Sequence, residues 1–99
     1  MDENPQLRIE HQADRLVIDG EVDMNSAPQL RAALEEHFPG SRAVTLDLAG
    51  VTFMDSSGLR VLIELHQRVD TVTLVDPTSA VDRLFELASV TELFAIVRS

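Results

Sequence analysis

Cysteine is absent from the 99 residues, and the aromatic complement is four phenylalanines with no tryptophan or tyrosine. Without a thiol there can be no disulfide, no zinc–thiolate site and no cysteine nucleophile, and the absence fits a reducing compartment. Without stacking rings there is little to hold a single strand of nucleic acid. Cations are scarce as well: 8 Lys and Arg face 17 Asp and Glu, for a net charge of −9 and a pI near 4.5. A phosphate backbone would be repelled by such a surface, so nucleic acid is excluded as a partner. No apolar run approaches the roughly 20 residues of a membrane helix, which excludes direct membrane insertion. The opening stretch MDENPQLRIE is acidic and polar and lacks the basic and apolar regions of a signal peptide, so the expected location is cytoplasmic. There is no glycine-rich phosphate loop, no repeat, no low-complexity tract and no linker. Residues 1–99 therefore read as one domain.

What is present is an ordinary globular composition, 44% apolar, enough for one modest core and too little chain for a deep substrate cleft. That favours a binding or switching module and not an enzyme. The acidic surface suits a basic protein partner, with fast, salt-sensitive association; plain solubility explains the same charge equally well.

Residues 7–11 and 14–20 alternate apolar and polar around a short turn near Gln12 and Ala13, which predicts an antiparallel hairpin. Asn25 and Ser26 offer N-caps, Pro28 suits a first helical turn, and Ala27, Leu30, Leu34 and Phe38 recur at helical spacing until Pro39-Gly40. Residues 43–49 predict a strand ending in a turn at Gly50. Leu59, Leu62, Ile63 and Val69 mark a second helix starting near Ser56. Residues 71–76 predict another strand, Val81, Leu84, Phe85 and Ala88 a third helix, and Phe94, Ile96 and Val97 a short last strand. The order β-β-α-β-α-β-α-β implies right-handed crossovers and an α/β fold whose five-stranded sheet is mixed but mostly parallel. Because the strands alternate, where doubly covered parallel strands are continuously apolar, the helices are expected mainly on one face.

The informative segment is Asp55-Ser56-Ser57-Gly58-Leu59, at a strand-to-helix junction. Asp55 or Ser56 reads as the N-cap, worth about 1 kcal/mol, and Gly58 as a site of close packing. A hydroxyl at this helix end could also carry a phosphate, which the helix N-terminus tolerates. The modification brings about −1.5 to −2 charge close to Asp55. Asp23, in the loop after the second strand, would lie nearby if the two strands are parallel neighbours.

The stretch VTLDLAGVTFMDSSGLRVLIEL resembles the core motif of the STAS family, in particular bacterial anti-sigma factor antagonists. DGEVDMNSAPQLRAAL is similar to the loop and first helix of that family, and PTSAVDRLFELASVTELFAI to its third helix and tail. The resemblance implies a single-domain STAS-like fold without a cofactor or metal. It implies phosphorylation at Ser56, and not Ser57, by a partner that is both serine kinase and anti-sigma factor. The unphosphorylated domain would bind that kinase and release the sigma factor; a metal-dependent serine/threonine phosphatase would reset it. Asp23, Asp55, Ser56, Ser57, Gly58 and Arg60 would form the partner-binding surface. Arg60 departs from the family pattern, which has glycine there. It sits four residues beyond Ser56 and can pair with a phosphate or, as the default, with Glu64 at its own i+4. Two rival roles share the fold: an interaction subunit of a membrane transporter of the lipid-import ATP-binding cassette type, and a nucleotide-binding sensor.

Other candidates are weaker. Ser56 and His66, with an acid, would suggest a hydrolase triad, but they lie about 15 Å apart along one helix, beyond hydrogen-bond reach. His66 shares an apolar stripe and reads as a satisfied, half-buried histidine. His11 and His37 fall on separate elements without metal-ligand spacing, and Asp14, Asp19 and Asp47 read as solvated.

Overall fold

The two alternating N-terminal segments form β1 (Leu7–His11) and β2 (Leu16–Val22), an antiparallel hairpin closed by the Gln12 amide donating to the Arg15 carbonyl at 3.0 Å. The computed structural model describes residues 6–99; the acidic start of the chain, on which the leader-peptide reading rests, lies in large part outside them. After the hairpin come α1 (Ala27–His37), β3 (Ala43–Met54), α2 (Ser56–Arg68), β4 (Thr71–Val75), α3 (Ser79–Ala88), a turn of 3-10 helix (Thr91–Leu93) and β5 (Ala95–Val97). The strands lie in the order β1-β2-β3-β4-β5, and every pair after the first is parallel. The fold is thus the mixed, mostly parallel α/β arrangement that the sequence pattern implies.

The alternation decides which face is dry. Leu16, Ile18, Val44, Leu46, Leu48, Val72 and Leu74 are essentially inaccessible and join one core cluster with Leu30, Leu62, Val81 and Phe85 from the three helices. All three helices therefore cover the same face. Each such side chain contributes about 1.5–3 kcal/mol by leaving water. The other face carries Asp19, Glu21, Thr45, Asp47 and Thr73, which are half-buried or exposed. A polar second face is what lets a largely parallel sheet do without a second layer of helices. In α3 the predicted stripe holds at Val81 and Phe85, whereas Ala88 is exposed beside Ser89, which ends the helix in the left-handed conformation.

One boundary differs from expectation. The strand predicted to stop before a turn at Gly50 runs on to Met54. Its pairing with β2 jumps from Val17↔Asp47 to Asp19↔Gly50, and again from Gly20↔Val51 to Glu21↔Phe53. Each jump inserts one extra residue on β3, a bulge that resets the alternation. Val51 and Met54 thereby stay in the core and Phe53 turns outward. Gly50 is needed at the first bulge because a β-carbon there would collide with the Asp19 carboxylate. It marks close approach, and not a turn.

Candidate functional site

Because β2 and β3 are parallel neighbours, the segments that follow them leave the sheet at the same end. Val22 pairs with Met54, and the Asp55 amide donates to the Val22 carbonyl at 3.1 Å. This brings the Asp23–Ser26 loop alongside Asp55, Ser56 and Ser57.

The cap of α2 is Asp55, in extended conformation, whose carboxylate accepts from the Ser57 amide at 2.8 Å. The sequence left Asp55 and Ser56 as alternatives; the structure gives the role to Asp55 and makes Ser56 the first residue inside the helix. The Ser56 side chain is exposed and its hydroxyl has no hydrogen-bond partner among the described residues, whereas Ser57 is half-buried. Gly58 is buried against the ends of β2 and β3: a β-carbon there would lie 2.6 Å from Val22 Cγ1 and 2.8 Å from Met54 Cγ. No side chain fits, so glycine alone allows the first turn of α2 to sit this close to the sheet.

Asp23 organises the neighbouring loop. Its carboxylate accepts from the amides of Asn25 (2.9 Å) and Ser26 (3.2 Å) and from the Gln6 side-chain amide. Burial acts to raise the Asp23 pKa, but these donors, Gln6 foremost, together outweigh it and hold the carboxyl below its ordinary value. Ser26, buried, spends its hydroxyl on the Glu21 carbonyl at 2.8 Å and the Asp23 amide at 3.0 Å, so α1 starts without a side-chain cap. Two apolar side chains stand out of the same end: Met24, 74% exposed, and Phe53, 45% exposed. Sequence reasoning missed both, since a methionine in a polar loop carries no signal and the orientation of Phe53 depends on the two bulges.

Arg60 is exposed on α2, but the expected pair with Glu64 is not formed. Glu64 Oε1 instead receives Arg31 from α1, at 2.8 Å from Nη2 and 3.2 Å from Nε. A cross-helix partner with two donors displaces the single i+4 neighbour. Among the described residues Arg60 has no ion pair. It lines a shallow trough along α2 together with Ser56, Leu59, Ile63, Glu64 and Gln67.

The remaining candidates fall away from this end. His66 packs on Phe94 with ring centroids 6.0 Å apart, but its buried Nδ1 has no partner among the described residues, contrary to the satisfied histidine expected. His11 and His37, read as separate, meet with their Nδ1 atoms 3.0 Å apart. No group of three or more potential metal ligands occurs among the described residues. A cleft of about 170 Å³ opens between the C-terminal halves of α1 and α2, floored by Leu34, Phe38, Val61 and Leu65, away from Ser56. No helix among the described residues is long and apolar enough to cross a membrane.

Residues 6–98 match the family model described as Mlab, STAS domain. The anti-sigma-B factor antagonist of Listeria monocytogenes is 31% identical over 86 residues, covering 82% of this chain and 75% of that protein. An anti-sigma factor antagonist from Mycobacterium paratuberculosis has a similar structure, with a TM-score of 0.75 and 25% identity over 92% of this chain and 83% of that one. The anti-sigma factor antagonist SpoIIAA, solved in its unphosphorylated form, shares the fold with a TM-score of 0.73 at 19% identity, over 94% and 87% of the two chains.

Proposed function

The chain belongs to the STAS domain family, and from that premise we propose that it is an anti-sigma factor antagonist, a binding module switched by phosphorylation of Ser56. The observation that carries the reading is the division of labour in the first turn of α2. Asp55 does the capping, so the Ser56 hydroxyl is exposed and uncommitted at the end of the domain where the Asp23 loop also emerges. A kinase can reach that hydroxyl without unfolding anything, and the helix does not depend on it.

In this mechanism the unmodified end of the domain docks on an anti-sigma factor serine kinase and displaces the sigma factor. Met24 and Phe53 supply apolar contact, and Asp23, Asp55, Ser57 and Gly58 shape the surface around Ser56. Transfer of the γ-phosphoryl group of ATP to Ser56 Oγ releases ADP and the hydroxyl proton. It leaves a dianion that a partner would have to desolvate beside Asp55. The fold barely moves while docking becomes costly. Hydrolysis by a serine/threonine phosphatase restores the hydroxyl. ATP and magnesium belong to the kinase.

The test uses the purified domain with its cognate kinase and ATP, read by intact mass. One added phosphate is expected on the native protein and on Ser57→Ala, and none on Ser56→Ala. Phosphate arriving on Ser57 alone would overturn the site. A second reading keeps the STAS fold and changes the job. There the same end docks constitutively on a membrane-transporter subunit and Ser56 stays a hydroxyl. Recovery of a transporter component and no kinase with the untreated domain would favour it.

A further inference from the structure

We propose that Arg60 is the counter-ion of the phosphoryl group on Ser56, so that modification both adds negative charge to the docking end and withdraws the free guanidinium beside it. The inference rests on the phosphoserine reading above and adds to it a regulatory ion pair that the glycine found here in the family pattern could not form.

Of the eight arginines, Arg15, Arg31, Arg42, Arg68 and Arg98 each have a carboxylate within 4.0 Å. Arg60 has none among the described residues, and the other two, Arg8 and Arg83, lie on β1 and α3. Glu64, the carboxylate at i+4 from Arg60, is paired elsewhere: Arg31, reaching across from α1, donates twice to Glu64 Oε1. Ser56 lies one turn toward the N-terminus of the same helix and lines the same trough as Arg60. Residues four apart on a helix have β-carbons about 5–6 Å from each other, and an anion preceding a cation is the favourable order.

The helix end alone offers a phosphate less than the sequence suggests. The Ser57 amide, one of the first free donors, is already bonded to the Asp55 carboxylate at 2.8 Å, and that carboxylate is itself an adjacent anion. A dianion on Ser56 gains from a nearby cation, and Arg60, at i+4 on the same helix, carries two parallel N–H donors that can supply it. In the unmodified state the same guanidinium is available to a carboxylate of the partner. Phosphorylation thus acts on the interface twice, by what it adds and by what it occupies.

The test installs phosphoserine at position 56 during translation, so that no kinase is needed, and follows the second ionisation of the phosphate by phosphorus NMR. Arg60→Gln should raise the titration midpoint by about 0.3 pH unit, the shift that a helix ion pair of ordinary strength gives. Arg60→Lys should restore most of the native value. Arg31→Gln should produce part of the same rise, because Glu64 is then released to recapture Arg60. Urea midpoints of the unmodified variants check that the fold is intact. Superposable titrations of the native and Arg60→Gln phosphoproteins would overturn the pairing. A native domain that its kinase never modifies, with the shift nonetheless present, would sink the functional reading and leave the ion pair standing.

Discussion

Asp55 and Ser56 are adjacent, both polar and both suited to capping, yet the structure gives them different energetic roles. The Asp55 carboxylate satisfies the Ser57 amide, a donor that would otherwise be left at the helix end. The Ser56 hydroxyl is exposed and satisfies nothing in the protein among the described residues. Asp55→Ala should therefore cost about 1 kcal/mol of stability, whereas Ser56→Ala should fall within the ~0.5 kcal/mol typical of surface changes. Urea unfolding of the two variants measures the difference, and a larger loss for Ser56→Ala would mean that the hydroxyl is part of the fold and ill-suited to modification. The sequence could not separate the two residues, because capping preference is shared and only the backbone angles decide which of them lies outside the helix.

At the scale of elements, the second half of β3 explains both what was legible and what was not. Alternation in residues 7–11, 14–20, 43–49 and 71–76 made the strands readable, and helical spacing did the same for α1 to α3, because a one-sided layer imposes both periods directly. The segment between Ala49 and Met54 obeys neither period, since two extra residues reset it, and a glycine within it reads as a turn. A side chain at Gly50 would meet the Asp19 carboxylate. Gly50→Ala should thus destabilise by about 1–3 kcal/mol, the usual cost of overpacking, but much less in an Asp19→Ala background where the obstructing group is gone. Equal costs in both backgrounds, measured as a double-mutant cycle, would show that the strain lies in the backbone instead. The proposed docking end stood out in the sequence as a motif, FMDSSGL, but its electrostatics did not. Whether Glu64 faces Arg60 or Arg31 depends on how α1 lies against α2, and the meeting of His11 with His37 depends on where the hairpin leaves the end of α1. Both are tertiary outcomes that spacing along the chain does not contain.

For the whole molecule the relevant quantity is a net charge of −9 spread over a small domain whose proposed docking surface lies at one end. Charges more than a Debye length away, about 8 Å at physiological salt, are largely screened, but the summed field still steers a basic partner at first encounter. A phosphate adds roughly two charges of the same sign to that field, so it should not weaken long-range attraction. On the proposed mechanism its penalty arises only when the partner strips water from the modified end, where Arg60 would already be engaged. Phosphorylation should therefore act chiefly on departure: in surface-binding kinetics the dissociation rate rises at least about 10-fold, one decade or 1.4 kcal/mol, while the association rate stays within about threefold of the unmodified domain. Raising salt should do the opposite, slowing association of both forms and leaving their ratio of dissociation rates nearly unchanged. If phosphate instead collapsed the association rate and left dissociation alone, the partner's approach surface would have to be acidic, and the division between steering by the whole domain and exclusion at one serine would be wrong.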